Sequence, residues 1–367
     1  SGLTVAGLPI TGQAALGRNM VINGAMNVAQ RSASVAALGA ASGYFTCDRW
    51  AINVGGTATA GRLTMSQTAD GPNGISANCI KLDCTTADTS IAADENLRLL
   101  TILEGQNIQR IGKGVAGAKQ VTVSFYVKAS AAFTFGCELY DLDNVRQITK
   151  LFTTTTDWNR IELTFPADVD DGSSSFDDDN AGSLRLHFWL HSGSNQTSGT
   201  LNTSSWANVT AANRAVGIDS FYSSTDNNFF LTGVQMEVGP VATEFEQEEI
   251  STTLSKCQRY FQQLGGSYGA FDGMFSGNAT GTDLLFVTTN SKITMRAAPT
   301  FALGGGVSNH RYAQGGSDVQ PTSIVADQVK LNSFTLKVAH NGQVTSGNAA
   351  RLFNNSTDGF YNFDAEL

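Results

Sequence analysis

Residues 121–130 read VTVSFYVKAS, and residues 183–192 read SLRLHFWLHS. In each stretch an apolar residue occupies every second position. The apolar positions are Val121, Val123, Phe125 and Val127 in the first stretch, and Leu184, Leu186, Phe188 and Leu190 in the second. Side chains alternate between the faces of a strand, so this spacing predicts strands with one buried face. No helical period separates the strands, which favours an antiparallel jelly-roll sandwich over a parallel βαβ sheet.

The composition supports a folded β protein. Hydrophobic residues make up 41% of the 367 residues, which is enough for a core. The charged fraction of 15% is low, and 38 glycines accompany abundant Ser, Thr and Asn, as expected for short strands joined by polar turns. The net charge is -9 and no Lys/Arg cluster occurs, so we expect no nucleic-acid partner.

The cysteines, the apolar runs and the first residues of the sequence indicate in which cell compartment the chain is made. Five cysteines, with no CxxC pair, predict buried thiols rather than a disulfide framework or a zinc site. No apolar run approaches the roughly 20 residues of a membrane span, so we expect no membrane insertion. No signal peptide opens the sequence, so we expect synthesis in the cytoplasm without one.

Four regions follow from the pattern along the chain. Residues 1–18 are small and Gly-rich, and we interpret them as an attachment segment. Residues 19–248 carry strand after strand and predict the sandwich. Residues 249–264 predict an amphipathic helix, and residues 265–367 return to alternating strands in a second, smaller β domain.

The predicted helix has one apolar stripe. Its members, at alternating steps of four and three, are Ile250, Leu254, Cys257, Phe261 and Leu264. The stripe is typical of a helix packed on its own domain. The same spacing matches two heptads, so a three-stranded bundle between subunits is the alternative interpretation.

Several motifs, in order, resemble a family of bacteriophage tail-fibre and tail proteins. They are GRNMVINGAMNVAQRS at 17–32, GYFTCDRWAI at 43–52, VTVSFYVKAS at 121–130, TTDWNRIELTF at 155–165, and FFLTGVQMEVGPVATEFEQEEISTTLSKCQRYFQQL at 229–264. The chain departs from the family pattern at Cys47, and at Val238 and Glu244, which replace two prolines. The resemblance covers residues 18–264 and leaves 265–367 outside.

The resemblance implies a jelly-roll sandwich similar to carbohydrate-binding modules, displayed on a virion. On this interpretation the chain is a homotrimeric tail-fibre adhesin for a host glycan or protein. The N-terminal segment would join other tail proteins. The first alternative is a structural tail or collar adaptor that acts only in assembly. The second is a polysaccharide depolymerase, although no catalytic constellation is visible and we expect no enzyme.

Glycan binding requires flat aromatic surface beside polar hydrogen-bonding groups. In the sandwich the candidates are Trp189, Trp206 and Tyr222. In the second domain the Gly-flanked stretch 308–314 contributes His310, Arg311 and Tyr312, and we expect recognition mainly there.

Carboxylates cluster at two places. The loop DVDDGSSSFDDDNAGS at 168–183 includes Asp177, Asp178 and Asp179, and the segment DLDN contributes Asp141 and Asp143. We interpret the loop as solvated. Its oxygen ligands also suit a structural Ca²⁺, but the EF-hand spacing is missing. No other cofactor is expected.

Overall fold

A computed structural model describes residues 17–56, 60–169, 174–266, 274–342 and 344–367, together with the backbone of two short strands before residue 10. The chain divides into two compact units, Ser1–Ile250 and Ser251–Leu367. Apart from Gly17, Arg18 and those two strands, the predicted attachment segment lies outside the described residues.

The first unit consists of strands joined by turns and very short helices. In chain order its elements are β1 (Thr4–Val5), β2 (Leu8–Pro9), β3 (Ser34–Leu38), β4 (Gly43–Tyr44), β5 (Ala51–Gly55), β6 (Arg62–Thr68), β7 (Cys79–Thr86), β8 (Asn96–Glu104), α1 (Gly105–Ile108), β9 (Val121–Ala129), β10 (Thr134–Asp141), β11 (Arg146–Thr153), β12 (Asn159–Phe165), β13 (Gly182–Ser192), α2 (Ser194–Thr197), β14 (Ala207–Asn208) and β15 (Asn228–Val238). Single 3-10 turns lie at Gln109–Ile111, Ala211–Asn213 and Phe221–Ser223.

Two antiparallel sheets face each other across one core. Among the described residues, the seven-stranded sheet has the order β14-β11-β10-β13-β8-β5-β4, and the six-stranded sheet has the order β12-β9-β15-β7-β6-β3. Phe188 on the first sheet contacts Phe125 on the second edge to face, with ring centroids 5.0 Å apart. The alternating apolar residues of β9 and β13 are buried in this core. The predicted all-β, antiparallel jelly-roll sandwich is therefore confirmed.

The opening and closing motifs join the two ends of the sandwich chain. Asn19 Oδ1 accepts a hydrogen bond from the Met236 amide (3.0 Å), and Asn19 Nδ2 donates to the Val234 carbonyl (3.1 Å). The Glu246 carboxylate accepts from the Asn19 amide (2.8 Å), while the Glu246 amide donates to Gln235 Oε1 (2.8 Å). These motif residues therefore have structural roles.

The second unit is a smaller β domain that follows a short helix, as predicted. Its elements are α3 (Ile250–Gln258), β16 (Phe261–Gly265), β17 (Phe275–Ala279), β18 (Leu284–Asn290), β19 (Thr300–Gly304), β20 (His310–Gln314), β21 (Ser317–Val319), β22 (Ser323–Val329), β23 (Ser333–Ala339), β24 (Ala349–Asn354) and β25 (Phe360–Asp364), with a 3-10 turn at Val307–Asn309. The described strands form sheets ordered β16-β25-β19 and β21-β20-β24-β17-β18-β23-β22. Phe334 and Phe363 stack in the core, with ring centroids 3.7 Å apart.

The helix is shorter than predicted. It ends at Gln258 rather than 264, and Phe261 and Leu264 lie on β16, which pairs with β25. Pairing with the C-terminal strand overrides the local helical period. Cys257 and Phe261 are buried, Leu264 packs against the core of the second unit, and Ile250 is 55% exposed. The five residues therefore do not form one continuous helical stripe.

The strand assignment makes Phe261 a core residue of the second unit. We expect Phe261→Asp to lower the unfolding free energy of that unit by at least about 3 kcal/mol, because it removes buried apolar surface and buries a charge. Hydrogen-exchange mass spectrometry of peptides within 275–367 would report the loss of protection. The exposed control, Ile250→Asp, should change stability by no more than about 0.5 kcal/mol. Unchanged protection in Phe261→Asp would contradict the assignment.

Candidate functional site

Two of the three predicted aromatic contacts of the first unit, Trp189 and Tyr222, are buried. Trp189 is 1% exposed and Tyr222 is fully buried. The Tyr222 ring packs so closely on Gly61 that a Cβ there would lie 2.5 Å from it. Trp206 is half-buried against the core, and its Nε1 donates to the Pro166 carbonyl at 3.0 Å. The interpretation of Trp189 and Tyr222 as direct ligand contacts is therefore wrong, whereas Trp206 stays a prediction.

The burial of Trp189 comes from the long connection between β13 and β15, residues 193–227. This connection covers part of the outer face of the seven-stranded sheet. Thr149 on that face donates to the Arg214 carbonyl at 2.9 Å, and His191 Nδ1 lies 2.8 Å from Ser220 Oγ. The alternation in β13 correctly indicates a polar face, but three of its four side chains, those of His187, Trp189 and His191, are buried rather than solvated.

The predicted contacts of the second unit lie on a strand, not in a loop. On β20, His310 and Tyr312 are buried, with the His310 ring 4.8 Å from the Tyr361 ring. Burial lowers the pKa of His310. Arg311 is half-buried, and its Nη1 donates to the carbonyls of Ser308 and His310. His310 and Tyr312 are thus core residues, contrary to the prediction.

The carboxylates proposed for calcium have other partners. Asp141 lies 2.6 Å from Lys113 Nζ and accepts the Asp143 amide at 3.0 Å. Asp168, expected in a solvated loop, is buried and pairs with Lys113 (3.0 Å) and Arg146 (2.9 Å). Burial raises the pKa of Asp143, whose Oδ2 accepts the Asp177 amide.

The remaining candidates give no convergent site either. Asp177, Asp178 and Asp179 are exposed, and Asp179 accepts the Ala181 amide at 2.8 Å. Residues 170–173 of the loop lie outside the described part. Within the described residues, no three His, Cys, Asp or Glu side chains converge to hold a metal.

A buried carboxylate organises the outer face of the seven-stranded sheet. Glu138 on β10 is fully buried. It accepts hydrogen bonds from His187 Nδ1 (2.7 Å) and Trp189 Nε1 (2.9 Å) on the neighbouring strand β13. Arg214, from the covering connection, donates Nε and Nη2 to the two carboxylate oxygens, both at 2.8 Å. The carboxylate therefore joins two strands to the connection.

The charges of this network are set by its burial. Desolvation alone would raise the pKa of Glu138, but Arg214 and His187 outweigh it and hold the pKa far below its usual range. Burial lowers the pKa of His187 to about 3, so its ring is neutral at pH 7. The Nδ1–H of a neutral ring is the donor to Glu138, which leaves Nε2 as an acceptor.

Three guanidinium groups surround this network, interleaved with aromatic rings. Arg214 lies 4.6 Å from the Tyr140 ring centroid and 5.0 Å from the Trp189 centroid. Arg98 lies 4.7 Å above the same Trp189 ring. Arg185 is the cross-strand neighbour of Tyr140. We call Arg98, Arg185, Arg214, Tyr140 and Trp189 the arginine face.

Some polar atoms of the arginine face have no partner. Within the described residues, Arg98 Nε, Arg185 Nε and His187 Nε2 are buried and make no hydrogen bond. Burial and then the Arg214 charge lower the pKa of Arg98 to about 10, and burial also lowers that of Arg185. Tyr140, Arg185 and Arg98 remain half-buried rather than covered. Parts of two guanidinium groups and of one aromatic ring are therefore accessible to solvent, whereas the unpartnered Nε atoms are not.

A second concave surface lies on the second unit. A shallow groove of about 530 Å³ crosses β17, β20, β21 and β24. Its floor is made of small residues that include Gly277, Ala313 and Ala350, and Arg351 and Asp318 stand beside them. Its size falls in the range of small-molecule sites. Among the residues that the structure describes, no aromatic side chain lines it.

Comparisons with known proteins give distant structural similarities. No protein-family model and no curated protein sequence matches the chain. A domain of tailspike protein 4 from bacteriophage CBA120 is 9% identical over 60% of this chain, with a TM-score of 0.32. The match spans only 22% of that domain.

Two carbohydrate-binding modules are also similar. A family 11 module from Clostridium thermocellum, solved with a β-1,3-1,4-mixed-linked tetrasaccharide, is 13% identical over 58% of this chain and 99% of its own, with a TM-score of 0.27. A module solved with β-1,4-galactotriose is 9% identical over 60% of this chain and 99% of its own, with a TM-score of 0.30. At these TM-scores none of the three assigns the chain to a family or to a ligand.

Sequence reasoning missed most of the arginine face. Arg185 occupies the polar side of β13, so its outward direction was visible in the alternation. Glu138 and Tyr140 show the same alternation within the β10 sequence TFGCELYD. Arg214 lies 76 residues from Glu138 in an irregular connection, and no local pattern indicates that pairing.

Buried histidines predict acid sensitivity of the first unit. The pKa values of His187 (about 3) and His191 (about 4) are lowered by burial, below the roughly 6.5 of an unfolded chain. The unfolded state therefore binds more protons, and stability falls as pH drops from about 6.5 towards 4, by up to about 1.4 kcal/mol per pH unit for each ring. Glu95, 3.9 Å from His191, has a pKa raised by burial and offsets part of this loss.

Urea unfolding followed by tryptophan fluorescence measures this dependence, because all four tryptophans lie in the first unit. We expect a clear loss of stability between pH 7 and pH 5, and a shallower loss in His191→Gln. Equal stability of the unmodified chain at both pH values would show that the histidines are not buried as neutral rings.

Proposed function

We propose that this chain is a bacteriophage tail-fibre adhesin that binds a cell-surface glycan through the arginine face. The observation that carries the proposal is that two half-buried guanidinium groups, those of Arg98 and Arg185, lie with the half-buried Tyr140 ring on one sheet face. Sugars offer hydroxyl acceptors together with apolar C–H surfaces, and such a face matches both.

The tail-fibre part of the proposal rests on the motif resemblance. Asn19, Gln235 and Glu246 belong to the opening and closing motifs and hold the ends of the sandwich together. Such structural roles suit a framework shared among tail proteins. In this proposal the N-terminal segment attaches to other tail proteins and the chain assembles as a homotrimer. Light scattering tests the latter, since the mass of a single chain would contradict it.

We further propose that the arginine face binds without cleaving. A glycosidase needs a pair of carboxyl groups, one of which donates a proton. Glu138 is the carboxylate that the cluster surrounds, and its four hydrogen bonds and lowered pKa make it a poor proton donor. A structural role for Glu138 is consistent with adhesion.

The test uses the aromatic ring, which contributes to binding any sugar. Purified chain is measured against immobilised lipopolysaccharide, capsular polysaccharide and teichoic acid from bacteria. We expect binding to at least one class, weakened about tenfold by Tyr140→Ala, since one aromatic contact contributes about 1–1.5 kcal/mol. Tyr140→Phe keeps the ring and should bind nearly as well.

Tyr126 provides a matched control. It is a half-buried tyrosine on β9 of the other sheet, with Arg160 6.0 Å from its ring centroid. Tyr126→Ala should leave binding unchanged. If the unmodified chain binds none of the polysaccharides, the structural adaptor becomes the better account. If both alanine variants weaken binding equally, the arginine face is not the site.

A further inference from the structure

The arginine face carries excess positive charge on an acidic chain. Arg98, Arg185 and Arg214 contribute three positive charges, and Glu138 offsets one of them, whereas the whole chain has a net charge of -9. His187 adds no charge at pH 7 because burial lowers its pKa to about 3. The cluster therefore keeps two positive charges that Glu138 does not offset.

Arg185 is the least satisfied member of the cluster. Its neighbours on the adjacent strands are Tyr140 and Ile102, and neither is an acid. Within the described residues the ion pairs of this cluster join Glu138 to His187 and Arg214 and do not include Arg185, whose Nε is buried without a hydrogen bond. The Glu138 carboxylate is already engaged by Arg214. A partly desolvated cation without a partner is costly, so a bound anion would relieve it.

We propose that the arginine face selects sugars bearing a carboxylate, with Arg185 pairing the carboxylate while the sugar ring lies against Tyr140. This inference rests on the proposed function and adds the class of its ligand. A planar guanidinium pairs with a planar carboxylate through two parallel hydrogen bonds, which favours an acidic sugar such as a uronic or sialic acid. Arg98 and Arg214 contribute the surrounding positive potential and remain bound to the protein.

The ligand pairs for the test differ in charge alone or nearly so. Tetragalacturonate is compared with its fully methyl-esterified form, and sialyllactose with the methyl ester of its carboxylate, by isothermal titration calorimetry or ligand-observed NMR. We expect the acidic member of at least one pair to bind about tenfold more tightly than its neutral partner. Raising the salt concentration from about 50 mM to about 500 mM should weaken the acidic member alone, because screening acts on charge pairs.

Variants then assign the effect to one side chain. Arg185→Gln should lower affinity for the acidic sugar about tenfold and affinity for the neutral one by a much smaller factor, so that the preference for the acidic member is lost. Lys81→Gln is the matched control, since it removes one positive charge from the six-stranded sheet, where Lys81 pairs with Asp83 at 2.9 Å. It should alter neither affinity. Melting temperatures of both variants establish that they are folded.

The outcomes separate this inference from the proposed function. Equal affinity for acidic and neutral members, with weakening by Tyr140→Ala retained, would overturn acid selection while the glycan site stands. Equal losses of affinity for the acidic sugar in Arg185→Gln and Lys81→Gln would show that only the net charge of the chain matters. This result would overturn the role of Arg185. No binding to any acidic sugar, by a chain that binds neutral polysaccharide, would also overturn it. Failure with every sugar and polysaccharide would remove the proposed function as well.

Discussion

The outer face of the sandwich depends on one buried carboxylate. Glu138 receives donors from β13 and from the connection that precedes β15, so its four hydrogen bonds hold a sheet and an irregular segment together. Removing one partner of such a buried pair costs about 3–5 kcal/mol, because the other charge is left uncompensated. The position of Arg214, and through it the stacking on Tyr140 and Trp189, follows from this constraint.

The hydrogen bonds of Glu138 also explain why the arginine face is positively charged and still well ordered. Arg214 donates two hydrogen bonds to Glu138 and neutralises its charge. The positive charges of Arg98 and Arg185 are therefore not neutralised within the cluster. Trp189 is buried beneath two of the guanidinium groups and supports them rather than meeting solvent. A rigid cluster of donors loses little entropy on binding, which favours recognition of an anion over nonspecific attraction.

The fold could be read from the sequence because it follows local rules. The period-2 alternation around Phe125 and Phe188 predicts strands with a buried side, and these two rings do meet in the core. The site could not be read in the same way. The alternation predicts that the Trp189 side chain points away from the core. It does not predict that a connection later in the chain covers this side chain. At Phe261 the local pattern predicts the wrong element. The sequence there has a helical period, but the residue lies on a strand because it pairs with the distant strand β25.

The central claim is that the arginine face is the sugar site of this chain. A crystal structure of the full chain with tetragalacturonate tests it most directly. The account predicts a carboxylate of the sugar within hydrogen-bond distance of the Arg185 guanidinium and a sugar ring against Tyr140. An oligosaccharide seated instead in the groove beside Asp318 and Arg351 of the second unit would contradict it.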